Sequence, residues 1–140
     1  MIESKLNILD CTLRDGGYYN NWDFEPNIVS DYLEAVAEAE LEFVELGLRQ
    51  FNNEKYLGAH AYTTREYLER LNLPVGPTYG IMIDAKAVLS RKESQEECID
   101  QLFFEAKDES VSLVRVVAHF GEISDCHRML ARLKEKGYIV

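Results

Sequence analysis

The chain has 140 residues, 46% of them apolar and 11% aromatic, which is enough to bury a core and excludes global disorder. Its 15 Lys and Arg against 25 Asp and Glu leave a net charge of −10, which argues against nucleic acid and against anionic membrane surfaces as partners. No stretch reaches the apolar length of a membrane span, the opening MIESKLNILD has no signal-peptide core, and Cys11, Cys98 and Cys126 are too scattered for a disulfide framework or a zinc site, so the expected setting is cytoplasmic with reduced thiols.

In chain order, a β-rich run over Lys5–Cys11 leads into Arg14-Asp15-Gly16-Gly17, which reads as a turn whose glycines take positive φ and admit a ligand. Ile28, Tyr32, Leu33, Val36 and Ala39 recur at helical spacing and predict one apolar face. A second strand is expected over Glu42–Leu46. The stretch from Asn53 to Leu71 is less regular; helix is expected from Thr63 onward, and His60 reads as a surface loop residue. A third strand is expected over Gly80–Ile83. Ser94-Gln-Glu-Glu97 then has the spacing of a capping box and opens a helix whose apolar face holds Ile99, Leu102, Phe103 and Ala106. The fourth strand, Leu113–Ala118, stops at His119, which reads as a capping or hydrogen-bonding residue rather than a metal ligand. A last helix runs from about Asp125 to Lys136, carries His127 on its surface and stops at Gly137. Tyr138–Val140 begins a fifth strand.

The order is βαβαβαβαβ with near-continuous apolar strands, the signature of a parallel sheet covered by helices. Strand centres near Ile8, Val44, Met82, Arg115 and Ile139 are about 24 to 38 residues apart, the scale of βα units, and eight such units need about 250 residues. The expected fold class is therefore α/β, the N-terminal half of a (β/α)8 TIM barrel. Residues 1–140 would form a partial barrel domain truncated near strand five; a complete open doubly wound sheet is the alternative.

Side chains alternate along a strand, so each strand has an apolar face and a mixed one. The mixed sets are Asp10, Thr12 and Arg14; Glu45, Gly47 and Arg49; Gly80, Met82 and Asp84; and Arg115, Val117 and His119. A barrel points such faces into its lumen, which predicts that Asp10, Glu45 and Arg115 share one side, with chemistry at the carboxyl ends of the strands. Glu45 and Arg115 either pair as a structural unit or serve a site. Asp84 either serves a site or caps the following loop. At the end of strand one, the Asp15 carboxylate can ligate a divalent metal, and Arg14 can hold a carboxylate or a developing enolate oxygen.

The run Asp10-Cys11-Thr12-Leu13-Arg14-Asp15-Gly16-Gly17 resembles the D-x-T-L-R-D-G signature of the DRE-TIM metallolyase superfamily, which includes HMG-CoA lyase and 4-hydroxy-2-oxovalerate aldolase. The longer LDCTLRDGGYYNNWDF looks most like the aldolase-like branch, and Phe43–Arg49 and Gly80–Asp84 resemble its second and third strand segments. The resemblance implies a TIM barrel that uses Mg²⁺ or Mn²⁺ to make or break a carbon–carbon bond beside a carbonyl. It implies Asp15 as a metal ligand and Arg14, Tyr18 and Glu45 as catalytic groups. Tyr18 stands where hydroxy-oxovalerate aldolases carry a histidine base, and the family's late H-x-H ligand pair has no counterpart in this sequence.

The implied partner is a small 2-oxo acid-type substrate. An acyl-CoA-dependent Claisen-type synthase and a non-catalytic half-barrel module are the alternatives. Half a barrel leaves Met82 and Val117 uncovered, so self-association or cover by a missing C-terminal half is expected, and the isolated 140 residues are expected to be inactive.

Overall fold

A computed structural model describes residues 6–140; the Lys5 end of the first expected strand lies outside the described residues. The strands are β1 (Leu9–Asp10), β2 (Phe43–Leu48), β3 (Thr78–Asp84) and β4 (Leu113–Val117), all parallel and in the order β1-β2-β3-β4. Ile139 makes a parallel bridge to Leu113, where the fifth strand was expected to begin. The helices are α1 (Thr12–Asn20), α2 (Pro26–Glu38), α3 (Arg65–Leu68), α4 (Ala85–Leu89), α5 (Gln95–Leu102) and α6 (His127–Glu135). Among the described residues no helix is long and apolar enough to cross a membrane.

Every strand pairs with its sequence neighbour, so there is no reversal of strand order of the kind an open doubly wound sheet requires. Parallel crossovers of one hand that always step the same way put their helices on one face. The core bears this out. Val44 and Leu46 of β2, Ile81 and Ile83 of β3 and Val114 of β4 form one cluster with Val29, Leu33 and Val36 of α2, Val88 of α4, Ile99 of α5 and Met129 and Leu133 of α6. Each such side chain, fully buried, stabilises the fold by roughly 1.5–3 kcal/mol. The opposite face carries Glu45, Met82 and Arg115, away from α2, α4, α5 and α6 and bordered by α1 through Arg14 and Tyr18; Val117 is exposed there as expected, but Met82, expected to be uncovered, is buried. This is the wall of half a TIM barrel.

Local signals account for several element ends. Ser94 Oγ accepts from Glu97 N while the Glu97 carboxylate accepts from Ser94 N at 2.8 Å, the expected capping box. Gly137 has φ 90° and ends α6, a backbone angle that favours glycine. Asp84 caps α4 by accepting from Lys86 N at 2.9 Å.

Five further expectations need correction. First, Thr12 and Arg14 do not continue β1: the strand is two residues long, and the supposed Arg-Asp-Gly-Gly turn is the body of α1, with neither Gly16 nor Gly17 at positive φ. Second, Asp10 does not face the open side. Its Oδ1 accepts from Tyr32 Oη of α2 and from Thr12 N, and it pairs in register with Val44 of the core. Burial works against the Asp10 charge, but these bonds outweigh it and hold the carboxyl below its ordinary value. Third, the core face of α2 is Val29, Leu33 and Val36 with Tyr32 packed against it, so Leu33, Val36 and Tyr32 stand as expected while Ile28 and Ala39, at the ends of the expected face, are exposed. Fourth, the β2–β3 register shifts between Glu45 and Leu48, so Leu48 comes opposite Met82. Arg49 is turned away from the face of Glu45 and bonds Thr63 O, Leu102 O and Glu109, whose carboxylate it grips at 2.6 and 2.9 Å.

The fifth correction is His60, which is 1% exposed. It sits in a 3-10 turn (Ala59–Ala61) lying on β2, with Nδ1 2.6 Å from Leu46 O and Nε2 2.9 Å from Tyr67 Oη. Burial holds its pKa below the ordinary histidine value. An unfolded histidine takes up its proton near pH 6.5, so as pH falls the unfolded chain is protonated first. The stabilising effect of neutral His60 is complete above about pH 6.5 and is lost as pH drops toward the folded value. Thermal melts followed by circular dichroism should show the midpoint falling as pH drops below about 6.5, and a His60→Asn chain, though less stable at neutral pH, should lack that step. Equal slopes in the two chains would contradict the assignment.

Candidate active site

The site lies at the carboxyl ends of the strands, on the face turned away from α2, α4, α5 and α6. Its base is Glu45, whose side chain is fully buried and carries two arginines. Arg14, brought in by α1, donates from Nε to Oε1 at 2.8 Å. Arg115 reaches across β3 from β4 and donates from Nε to Oε2 at 2.5 Å and from Nη2 to Oε1 at 2.8 Å. Burial disfavours the Arg14 charge, yet the bond and charge of Glu45 more than compensate, and Arg14 is held above its ordinary pKa. The Glu45 bonds likewise hold Arg115 above its ordinary value against the cost of burial. The pairing of Glu45 with Arg115 is thus real, and Arg14 joins it. The Glu45 side chain has no exposed surface, so the polar groups of this cluster that reach the cleft are those of the arginines it holds.

Helix α1 builds the rest of that wall. Tyr18 is one turn beyond Arg14 and lines the same cleft, largely exposed. The Asp15 side chain is 68% exposed, accepts from Arg14 Nη1 at 2.8 Å and is not among the residues that line the cleft. The helix ends at Asn21 and Trp22, both left-handed at φ 57° and 58°. For a residue as bulky as Trp22 that backbone is an outlier, and such strain persists only where surroundings fix it. Here Trp22 Nε1 donates to Arg14 O at 2.8 Å, its backbone N donates to Gly17 O, and Tyr18 meets its ring edge-on at 4.7 Å between centroids. The ring occupies the space of a Gly17 side chain: a Cβ there would fall 1.9 Å from Trp22 Cδ1. Gly17 is therefore a seat for the indole that in turn holds the Arg14 backbone. The sequence reasoning overlooked Trp22; a lone tryptophan five residues after Gly17 was the available signal.

Arg14, Tyr18, Met82, Asp84, Arg115 and His119 surround a cleft of about 710 Å³. Arg14 Nη2 and Arg115 Nη1 have no protein partner among the described residues, so two guanidinium edges remain able to donate into it. Among the described residues no group of three or more His, Cys, Asp or Glu side chains is arranged to hold a metal ion. Asp15 offers one carboxylate, already bonded to Arg14, and Glu45 is enclosed by its arginines. The residues of this chain by themselves do not fit a Mg²⁺ or Mn²⁺ centre, which needs near-octahedral oxygen ligation.

No protein-family model matches the chain, and no curated protein matches it. A solved structure described as "Crystal structure of the N-terminal domain of a putative aldolase from Bacteroides vulgatus" is similar, with TM-score 0.83 and 31% sequence identity over 95% of this chain. The match covers 42% of that structure's chain, so the present chain spans less than half its length.

Proposed function

We propose that this chain supplies the substrate-holding half of an aldolase-like enzyme that cleaves or forms a carbon–carbon bond beside the carbonyl of a 2-oxo acid. The observation that carries the reading is the pair of guanidinium edges, Arg14 Nη2 and Arg115 Nη1, fixed by one buried carboxylate and left unpaired toward the cleft. A carboxylate accepts from Arg115, and the neighbouring carbonyl oxygen accepts from Arg14. In cleavage of a 4-hydroxy-2-oxo acid, a base removes the C4 hydroxyl proton and the C3–C4 bond breaks. Its electron pair moves through C3 to the carbonyl oxygen, an aldehyde leaves, and the enolate takes a proton at C3. Arg14 stabilises the negative oxygen when it appears, which is where a fixed donor accelerates the step. Tyr18 is the group on α1 placed to transfer a proton at the same cleft.

The similarity to a structure described as an aldolase domain supports this reading. The finer assignment, to the DRE-TIM metallolyases near the hydroxy-oxovalerate aldolase branch, rests on the Asp10–Gly17 motif. On that assignment Asp15 is this chain's one ligand for Mg²⁺ or Mn²⁺, and the other ligands come from outside these residues.

Two measurements test the proposal. The chain alone should bind pyruvate by calorimetry without turning it over, and Arg115→Gln should weaken that binding about tenfold, the loss of one charge-assisted bond. A complete barrel carrying this half should exchange the C3 protons of pyruvate with D2O, in the presence of Mg²⁺ or Mn²⁺, as read by NMR. Exchange no faster than buffer overturns the enolate chemistry, and pyruvate binding indifferent to Arg115→Gln overturns the role of that residue. A requirement for acetyl-CoA would move the assignment to a Claisen-type synthase.

A further inference from the structure

The cleft continues into a second lobe of about 300 Å³, joined to the first across Tyr18, Met82, Asp84 and Val117; the Asp84 carboxylate at this junction caps α4, and beyond it the lobe adds Trp22, Leu48, Leu57 and Asn53. Its chemistry differs from that of the arginine lobe. The one cation in its lining, Arg49, has its guanidinium committed to Thr63 O and the buried Glu109 carboxylate, so it has little left for an anion. Trp22 and Met82 are buried and Leu48 and Leu57 half-buried, so they form an apolar wall.

The walls are also set before any ligand arrives. Trp22 is held through its indole N–H by Arg14 O and through Gly17 beneath its ring. The loop bearing Leu57 is tied down at its next residue: Gly58 N donates to Asn21 O at 2.8 Å, and a Cβ on Gly58 would lie 2.2 Å from Trp22 O. Backbone lies on backbone there, so the lobe cannot collapse by moving a side chain. Its volume is that of about ten waters at roughly 30 Å³ each, more than an apolar group of about five carbons needs.

We infer that this second lobe binds the apolar tail of the substrate, the part beyond the bond that breaks, and that the enzyme selects 4-hydroxy-2-oxo acids whose chain past the hydroxyl-bearing C4 is a hydrocarbon of about four carbons or more rather than a short or charged one. The inference rests on the 2-oxo acid reading of the arginine lobe. The carboxylate and carbonyl lie on Arg115 and Arg14, C3 passes between Tyr18 and Met82, and the tail lies against Trp22, Leu48 and Leu57. Because Trp22 also holds the Arg14 backbone, tail and carbonyl are sensed by one connected unit.

Trp22 is the chain's one tryptophan, so its fluorescence reads the lobe directly. The probes are pyruvate, which reaches only the first lobe, and 2-oxooctanoate, which has four carbons past C4. On the 140-residue chain, 2-oxooctanoate should bind at least about tenfold tighter than pyruvate, less than full burial of its methylenes would give because the tail loses its freedom, and it should shift Trp22 emission. Leu57→Asp should remove that advantage and leave pyruvate binding unchanged. Asn53→Leu, at an exposed position where folding is not at stake, should increase the advantage by about twofold to threefold. If pyruvate binds but the longer acid binds no tighter, the tail assignment is overturned and the 2-oxo acid reading stands. If neither binds, both are overturned. Binding of 2-oxooctanoate that ignores Arg115→Gln overturns the placement of head and tail in one continuous site.

Discussion

Replacing Glu45 by alanine should destabilise the chain by about 3 kcal/mol, the low end of the range for breaking a buried ion pair. Its side chain has no exposed surface and answers two guanidinium groups at 2.5 to 2.8 Å. Removing it leaves two cations facing each other with no counter-charge between them. Arg115, 42% exposed at its side chain, can turn to water, which holds the loss to the low end; Arg14, 14% exposed and fixed to Trp22 through its backbone, cannot easily follow. Glu45→Gln keeps the shape and one acceptor oxygen, so it should cost less in stability while still misaligning the arginines and weakening pyruvate binding. Urea titrations give the comparison: the midpoint should fall with an unchanged slope, because the same surface is exposed on unfolding. A loss below about 1 kcal/mol would mean that the two arginines are not held by this carboxylate in solution.

Gly47→Ala should be nearly as damaging, at about 3 kcal/mol, for a steric reason. A Cβ on Gly47 would fall 2.1 Å from His60 O and 2.9 Å from His60 C. These are backbone atoms, so no rotamer change relieves the clash and the 3-10 turn must lift off β2. Lifting it breaks the His60 Nδ1 contact to Leu46 O and the Thr63 Oγ1 bond to Leu48 O, and so loosens the loop behind the second lobe of the cleft. Gly16→Ala is the control, since a Cβ there meets nothing nearer than Phe24 Cζ at 3.8 Å, and alanine favours helix. The two variants should move the thermal midpoint in opposite directions. A stable, unshifted Gly47→Ala chain would show that the turn does not lie on the strand this closely.

The parts of the fold that the sequence announces are those set by local rules. β2, β3 and β4, the Ser94–Glu97 capping box and the stop at Gly137 depend on alternation, hydrogen-bond partners three residues apart and one backbone angle, all readable within a short window. Three features were not readable, each because a distant contact overrides the local preference. Two adjacent glycines argue against helix at about 1 kcal/mol each, but the seat that Gly17 offers Trp22 makes glycine the residue that fits there. Strict alternation along β2 places Arg49 beside Glu45; the register shift against β3 puts it on the other side, where Glu109 waits sixty residues later. A lone histidine in an irregular loop gives no sign that the Leu46 carbonyl and the Tyr67 hydroxyl will enclose it. That Arg14, Tyr18 and Glu45 sit close together was legible from their motif and strand face, whereas the commitment of Glu45 to both arginines, and the place of Trp22 beside them, required the packed structure.

Neighbour-only strand pairing also allows the sheet to be built in the order of synthesis. Each strand finds its partner in the unit made just before it, so every closure spans a loop of similar and modest length, and a growing chain can add one βα unit after another. The Glu45 carboxylate enters the sheet with β2, when only Arg14 has been synthesised to meet it. Its second cation arrives 70 residues later, with β4. A chain that stops before β4 therefore leaves the Glu45 carboxylate with one of its two arginine partners. Arg115 therefore acts as the closing member of the nascent sheet. A ribosome-stalled chain ending before residue 113 should be cut by protease near β2, and one extending past Arg115 should resist.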